Sequence, residues 1–127
     1  MSTALPKRRS VCPVACTLDL IGDKWTLLVI RDLIVGKSTF KEITSSPERV
    51  ATNILADRLK RLLAHGLIER RPAPDHGGRF TYHLTESGQR LEPVLAAITD
   101  WGLEHLEGTE VRVKPPAESN HPTETAR

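Results

Sequence analysis

The sequence predicts a mainly helical domain that carries one small β-hairpin, an α+β fold. Several segments between residues 12 and 65 place apolar side chains at helical spacing and begin or end at residues that cap helices. The segment "RFTYHLT", which follows "PDHGG", instead alternates apolar and polar residues, the period of a half-buried strand. A length of 127 residues with 39% hydrophobic and 27% charged residues fits one domain with an aliphatic core.

Two helices are predicted near the N-terminus, after residues 1–11, which lack periodicity and are expected to form a flexible basic arm. Pro13 suits the first position of a helix, with Cys12 as its cap. Asp23 is expected to cap the next helix, over residues 25–35, which is apolar on nearly every side. A helix of this kind is usually central and buried.

Two further helices are predicted on either side of a turn at Pro47. Thr39 followed three residues later by Glu42 forms a capping box, which starts a third helix of about two turns, "FKEITSS". Pro47 blocks its continuation. The fourth helix is predicted over about residues 51–65, "ATNILADRLKRLLAH", with Gly66 in the left-handed conformation after it.

The hairpin and a last helix complete the domain. The segments "LIERRPA" and "RFTYHLT" are predicted to pair, with Phe80, Tyr82 and Leu84 on the buried side of the second strand. Thr85 is expected to cap the last helix, and Pro93 to kink that helix or delay its regular start.

Domain boundaries and function class follow from composition. The folded domain is predicted over residues 12–107, and the polar, Pro-rich residues 108–127 are predicted to be a disordered tail. No run approaches the roughly 18 apolar residues of a membrane span and no signal peptide is evident, so the cytoplasm is the expected location. No Gly-rich phosphate loop or nucleophile elbow is present, so the chain is not expected to be an enzyme.

The fourth helix has one apolar and one polar side. An advance of about 100° per residue places Leu59 and Leu62 within about 40° of Leu55, and places Asn53 near the opposite side. Asn53 can bond the edge of an adenine through both ends of its amide, and Ile54 can meet a thymine methyl. The polar side therefore suits the major groove of DNA, although a solvated amphipathic helix would show the same pattern.

The order of the elements predicts a winged helix-turn-helix. A capped short helix, a turn, a second helix with a polar outer side and a two-stranded hairpin follow one another along the chain. In that arrangement the second helix enters the major groove, and the hairpin, or wing, reaches an adjacent groove or the backbone. A local basic excess over residues 41–79 agrees with double-stranded DNA as the partner.

Several motifs resemble one known family. The segments "CPVACTLDLIGDKWTLLVIRDL", "TFKEI", "ATNILADRLKRLLAHGLIERR", "YHLTESGQRLEPVL" and "WG" are similar to the HxlR-type family of bacterial winged-helix transcription regulators, over about residues 12–102. The resemblance implies a homodimeric DNA-binding regulator. It also implies that the first and last helices build the dimer interface.

The resemblance further implies roles for single residues. It places Thr52, Asn53 and Arg58 in the recognition helix as DNA contacts. The full set of predicted DNA contacts is Lys41, Arg49, Thr52, Asn53, Arg58, Arg61 and, on the wing, His76, Gly77 and Arg79. Family members often have Ser where this chain has Ala51, which leaves Thr52 or Asn53 to cap the helix. An Asn53 side chain used as a cap would not be free to read a base.

An apolar stripe on the last helix indicates a dimer. A small domain gains little by burying the whole stripe against itself, so a partner helix is predicted, with completion of the core as the alternative. Two-fold symmetry would place two recognition helices about one DNA turn, roughly 34 Å, apart and predicts a near-palindromic site. The predicted dimerisation residues are Leu18, Leu91, Leu95, Ile98 and Trp101.

The two cysteines, Cys12 and Cys16, are too few for a disulfide framework and agree with a reducing compartment. Cys12 stands at a predicted helix N-terminus near the cations of "KRR", where a thiolate is favoured, so it is a candidate oxidation sensor. The family it resembles includes thiol-based sensors with a cysteine at this place. A plain cap residue is the alternative. "CPVAC" offers two metal ligands with no nearby His, so no metal and no other cofactor is expected.

The sequence is compatible with three functions. The leading one is a sequence-specific DNA-binding homodimer, with a response to thiol oxidation or to a small-molecule effector left open. A small thiol-redox protein that uses Cys12 and Cys16 is the first alternative, and a dimeric protein-interaction module on a winged scaffold is the second. A regulator keeps its DNA binding when both cysteines are replaced by serine, and an interaction module is indifferent to changes at Asn53.

Overall fold

The computed structural model describes residues 8–73, 75 and 79–112, which form six helices and one antiparallel hairpin. The elements are α1 (Pro13–Ile21), α2 (Thr26–Ile34), α3 (Phe40–Thr44), α4 (Thr52–Ala64), β1 (Ile68–Ala73), β2 (Arg79–Leu84), α5 (Glu86–Gln89) and α6 (Glu92–His105). The predicted mainly helical fold with one hairpin is confirmed. The wing residues His76 and Gly77 lie outside the described residues, as do residues 1–7 and 113–127 of the predicted arm and tail.

Helix α1 begins after Cys12 in an extended conformation, with Pro13 in its first turn, as predicted. Before α2, the Asp23 carboxylate accepts hydrogen bonds from the backbone N–H groups of Trp25 and Thr26, at 3.0 and 3.2 Å. Asp23 therefore satisfies the free donors at this helix start, although α2 itself begins at Thr26. No residue over 25–35 is exposed, which confirms α2 as the central helix.

Helix α3 has the predicted capping box but is shorter than predicted. The Thr39 hydroxyl accepts from the Glu42 backbone N–H at 3.1 Å, and the Glu42 carboxylate accepts from the Thr39 N–H at 3.1 Å. The helix ends at Thr44 because the Thr44 and Ser45 hydroxyls donate to the carbonyls of Lys41 and Glu42, which competes with further helical bonding. The helix is therefore two residues shorter than the predicted segment "FKEITSS".

Helix α4 buries one side against α2. Leu55, Leu59 and Leu62 are buried in one apolar cluster together with Val29 and Ile30. Fully burying a leucine is worth roughly 1.5–3 kcal/mol, so these side chains fix the rotation of α4 about its axis.

The helix ends as its sequence predicts. Gly66 has φ +73°, and the Leu67 N–H donates back to the Leu62 carbonyl at 3.0 Å. The α4 axis is thereby tied to β1, which starts at the next residue.

The hairpin pairs Ile68 with Leu84 at its base and Ala73 with Arg79 near its tip. Leu84 and Tyr82 pack against the core, but Phe80 is 37% exposed, so its predicted burial is wrong. Phe80 is not part of the apolar core cluster and lines an open groove beside α3. Its ring is instead covered by the Arg70 guanidinium, 4.1 Å from the ring centroid.

The C-terminal helix is preceded by a single separate turn. The Thr85 hydroxyl accepts from the Gly88 N–H at 3.2 Å and so caps α5 rather than the long last helix. Helix α6 then begins at Glu92 with Pro93 in its first turn, so Pro93 delays the regular start and does not kink it. Gly88 allows this turn to lie close to the end of α4, since a Cβ there would be 2.1 Å from the Leu67 carbonyl oxygen.

The predicted arm and tail both contact the domain where the structure describes them. The Arg9 guanidinium donates to the Asp19 carboxylate on α1 at 2.8 Å. After α6, the Thr109 hydroxyl donates to the carbonyls of Leu106 and Gly102, at 2.9 and 3.1 Å. None of the helices within the described ranges is long and apolar enough to cross a membrane.

Candidate nucleic-acid interface

The outer side of α4 is open to solvent. Thr52, Asn53, Asp57 and Lys60 are exposed, opposite the buried leucines. Ala51 is the N-cap residue and supplies no side-chain hydrogen bond. Among the described residues, none bonds to the side chain of Asn53, so this amide is not used as a helix cap. The first turn of α4 therefore presents a free amide, the group that can recognise an adenine edge.

Four of the predicted cationic contacts have no protein partner. In the part of the chain that the structure describes, Lys41, Arg49, Arg61 and Arg79 make no ion pair and no side-chain hydrogen bond. Lys41 lies on α3 and Arg79 opens β2, and both line one groove between these elements. Unpaired guanidinium and ammonium groups are available for phosphate oxygens at no cost in broken ion pairs.

Arg58 differs from these four cations because its charge is already paired. Its Nε donates to the Asp23 carboxylate at 2.8 Å, and its Nη1 donates to Asp57. The Arg58 side chain is only 19% exposed. Arg58 therefore joins the start of α2 to the first turns of α4, a contact across 35 positions of sequence that local patterns did not reveal.

Asp23 is the centre of this junction. Burial alone would raise the pKa of its carboxyl, but hydrogen bonds from Thr26, Arg58 and the Trp25 N–H, with the charge of Arg58, hold that pKa well below its usual range. The carboxylate is thus charged throughout the physiological range. One side chain caps α2 and orients α4 at the same time.

A second network holds the turn between α3 and α4. The buried Ser46 hydroxyl donates to the buried Asp32 carboxylate at 2.7 Å, and the Lys37 ammonium donates to Ser46 at 2.6 Å. Arg31 bonds Asp32 and also forms a two-pronged pair with Glu48, at 3.0 and 2.8 Å. The hydrogen bond from Arg31 lowers the pKa of Glu48.

The same turn contains a residue in an unusual backbone conformation. Arg49 has φ +56°, and its N–H donates to the Ser46 carbonyl at 2.9 Å. For a residue other than glycine this left-handed conformation costs roughly 1 kcal/mol or more, which the surrounding network offsets. The turn thus sets the angle between α3 and α4 and leaves the Arg49 side chain exposed.

The wing is attached to the helices by a backbone hydrogen bond. The Tyr82 N–H donates to the Ser38 carbonyl at 2.9 Å, which fastens β2 to the loop before α3. His83 lies on the other side of the strand beside Thr81, and burial lowers the pKa of its imidazole. Of the predicted wing contacts, Arg79 lines the same groove as Lys41, whereas His76 and Gly77 lie outside the described residues.

The predicted dimerisation residues fall into two groups. Leu91 and Leu95 pack against the core of their own protomer. Leu18, Ile98 and Trp101 are 53%, 50% and 57% exposed. Completion of the core, the alternative explanation of the stripe, thus accounts for two of the five residues. The described part of the chain contains no group of three or more His, Cys, Asp or Glu side chains that could hold a metal.

A comparison with known protein families agrees with this arrangement. A model of the family described as HxlR-like helix-turn-helix matches residues 20–110, which include α2 to α6 and the hairpin. The chain belongs to the HxlR-like helix-turn-helix family. The predicted family resemblance is confirmed.

Named members of the family and solved structures support the assignment. The HTH-type transcriptional regulator sll1512 of Synechocystis sp. is 34% identical over 97 residues, which is 76% of this chain and 72% of that protein. The crystal structure of PA1607 has 38% identity and a TM-score of 0.73, and covers 91% of this chain and 82% of its own. The oxidized redox regulator HypR has 33% identity and a TM-score of 0.67, over 73% and 96% of the two chains.

A further relative is the HTH-type transcriptional regulator YodB of Bacillus subtilis. It is 33% identical over 93 residues, which is 72% of this chain and 83% of that protein. The reduced form of YodB has a TM-score of 0.63 and covers 80% of this chain and all of its own. These relatives are transcriptional regulators and not enzymes, so this chain is a transcriptional regulator of the HxlR-like type.

The Asp23 junction gives a prediction for stability. Asp23→Asn removes the charge that Arg58 needs, and we expect it to lower the free energy of unfolding by about 1–3 kcal/mol at neutral pH. Because the folded pKa lies below the unfolded value of about 3.9, the contribution is complete above that pH and declines as pH falls below it. Urea unfolding at fixed protein concentration should therefore show a difference that is constant from about pH 5 to 8 and shrinks below about pH 4.

Asp100→Asn is the matched control, since Asp100 is exposed on α6 and has no ion pair within the described residues. This control should leave stability unchanged. A pH-independent difference for Asp23→Asn, or none, would contradict the role given to Asp23.

Proposed function

We propose that the protein is a homodimeric, sequence-specific DNA-binding regulator that inserts α4 into the major groove of a near-palindromic site. The observation that carries this proposal is the outer side of α4, where the Asn53 amide is exposed and free while the leucines of the opposite side fix the helix. A helix held in this way presents its first turn to base edges without having to reorganise. Thr52, beside Asn53, completes this reading surface.

The unpaired cations lie on α4 and on the elements around it. Arg49 lies in the turn before α4, Arg61 lies on the later turns of α4, and Lys41 and Arg79 line the groove between α3 and the wing. Each phosphate that they neutralise releases condensed counterions, so affinity should fall as salt rises. Arg58 keeps its predicted DNA role through Nη2, which has no hydrogen bond within the described residues, while its other nitrogens position α4.

Removing the Asn53 amide should weaken binding to the specific site but not binding to unrelated DNA. We expect Asn53→Ala to weaken the free energy of binding to the specific site by about 1–3 kcal/mol for each base that the amide no longer contacts. Each subunit of the dimer would contribute this loss. Arg61→Gln should instead weaken all duplexes alike and reduce the salt dependence by about 0.9 for each phosphate that is no longer neutralised. Fluorescence anisotropy with the DNA upstream of the chain's own gene, and with an unrelated duplex, measures both effects.

Arg90→Gln serves as the control, because Arg90 is exposed at the end of α5 and, within the described residues, its side chain bonds Glu86 alone. The proposal fails if wild-type protein shows no salt-dependent binding. Equal binding by Asn53→Ala and wild type would favour the alternative of a protein-interaction module that is indifferent to DNA.

The dimer is proposed from apolar surface that the protomer leaves uncovered. No residue of α6 is buried, and Ile98 and Trp101 stand half exposed on one side of it. Helix α1 likewise exposes Val14 and Leu18. Exposed large apolar side chains on two terminal helices suit an isologous interface, in which each helix meets its counterpart or the other helix of the partner.

A charge on α6 should separate the subunits without unfolding them. We expect Ile98→Glu to weaken dimerisation by about a hundredfold or more, because an unpaired carboxylate would be buried at the interface. The fold should survive, since Ile98 is half exposed in the protomer. Sedimentation velocity reports the assembly, and circular dichroism reports the fold.

Asp100→Lys on the other side of α6 is the control and should remain dimeric. Dimers that persist in Ile98→Glu, or a wild-type protein that is monomeric at high concentration, would refute this interface.

A response to thiol oxidation is proposed for Cys12. Cys12 is exposed at the N-cap of α1, whereas Cys16 is half-buried and its Sγ donates to the Ser10 carbonyl at 3.2 Å. Oxidants therefore reach Cys12 more readily. The relatives include the redox regulator HypR, and its oxidized form has been solved. Because Cys12 lies beside the proposed α1 surface, its modification would alter the packing of subunits and so the spacing of the two α4 helices.

Single serine substitutions test this assignment. We expect diamide to change the DNA affinity of wild type and of Cys16→Ser by about tenfold, the size of a typical coupling between sites, and to leave Cys12→Ser unaffected. The double variant should still bind DNA, because neither thiol lies on α4. Loss of all activity in the double variant would favour the alternative of a small thiol-redox protein.

A further inference from the structure

A groove of about 760 Å³ lies between α3 and β2. Three aromatic side chains line it, namely Phe40, Phe80 and Tyr82, and two cationic residues, Lys41 and Arg79, border the same space. Phe80 is exposed although large aromatic residues are normally covered. The Glu42 carboxylate also lines the groove and accepts hydrogen bonds from the backbone N–H groups of Ser38 and Thr39. The groove thus combines an apolar wall with two cations and one carboxylate that is already hydrogen-bonded.

The walls of the groove are held in place by contacts already described. The hydrogen bond from the Tyr82 N–H to the Ser38 carbonyl fixes β2 against the loop before α3. The capping box fixes the start of α3, and the Arg70 guanidinium holds the Phe80 ring from the hairpin side. A site with fixed walls loses little entropy when a ligand binds, which favours affinity for a small molecule.

We propose that this groove binds a small aromatic anion, a carboxylate carried on one or two fused rings. Its rings would stack among Phe40, Phe80 and Tyr82 and remove their faces from water. Its carboxylate would meet Lys41 and Arg79, which have no partner among the described residues. A phosphate of the DNA backbone would satisfy the two cations but leave the rings exposed, and a neutral apolar compound would do the reverse.

The consequence for regulation rests on the proposed function. Lys41 and Arg79 are both predicted DNA contacts, and one carboxylate between them would compete with backbone phosphates for the same charges. The wing and α3 would then lose their phosphate contacts with the duplex, while the structure of α4 stays unchanged. The aromatic acid would therefore release DNA, and its affinity and that of DNA should weaken one another by the same factor.

Binding is tested first without DNA. We expect 2-naphthoate to shift the backbone amide resonances of residues around the groove, Phe40 and Tyr82 among them, in a saturable titration of ¹⁵N-labelled full-length protein. The neutral isostere 2-naphthamide should bind at least about tenfold more weakly, the cost of losing a charge-assisted hydrogen bond at a partly exposed site. Lys41→Gln, Arg79→Gln and Phe80→Ala should each weaken 2-naphthoate by about tenfold, through removal of a cation or of a stacking surface.

Arg90→Gln, a change at a residue that does not line the groove, should bind 2-naphthoate as wild type does, and thermal unfolding confirms that each variant is folded. The proposal is overturned by shifts that do not saturate, by equal affinity for the amide, or by wild-type affinity in both cation variants. Saturable shifts on α1 and α6, accompanied by a change in subunit assembly, would place the ligand at the dimer interface and would also overturn it.

Measuring DNA binding in the presence of each compound distinguishes failure of the ligand site from failure of the proposed function. With ionic strength held constant, 2-naphthoate should weaken DNA binding and 2-naphthamide should not. A protein that binds 2-naphthoate in the groove but never binds DNA would refute the proposed function and leave the site standing. DNA binding without any 2-naphthoate binding would refute the site alone.

Discussion

The burial of Leu55, Leu59 and Leu62 is the constraint on which the rest of the structure depends. These side chains enter the core beside α2, so α4 cannot rotate without exposing three leucines, at roughly 1.5–3 kcal/mol each. The opposite side of α4 is thereby fixed toward solvent. Because Asn53 lies there and the leucines lie beneath, one packing arrangement contributes to the stability of the domain and sets the direction in which α4 would face DNA under the proposed function.

Polar contacts also help to fix the orientation of α4 that the apolar core sets. The Asp23–Arg58 pair ties α4 to the start of α2, and the Asp32–Ser46 pair with its neighbours holds the turn before α4. Partly buried charge pairs of this kind are weak sources of net stability but are costly to break. Their use here is geometric, since they fix the angle of α4 relative to the rest of the helix-turn-helix. Arg49 can keep its left-handed backbone because these contacts determine the turn.

Most of the fold could be predicted from sequence because its signals are local. The capping box before α3 and the glycine that ends α4 each act within a few residues, and the described structure has both. The alternation in β2 predicted the strand and its pairing with β1, but not the exposure of Phe80. Contacts between distant positions could not be predicted in this way. The Arg58–Asp23 pair spans 35 positions, and the exposure of Phe80 depends on how far the core extends beneath the hairpin. Sequence alone therefore predicted Arg58 as a DNA contact, whereas both side-chain hydrogen bonds that it makes within the described residues are to carboxylates of the protein.

The most direct measurement of the central claim, that paired copies of α4 read DNA with their outer sides, is selection of bound fragments from a pool of random duplexes. The account predicts enrichment of one two-fold-symmetric motif whose half-sites are centred about one helical turn, roughly 34 Å, apart. The same selection with Asn53→Ala should lose preference at defined positions in each half-site and keep their spacing. A pool that shows no enrichment, or a motif unchanged by Asn53→Ala and Arg61→Gln together, would contradict the claim.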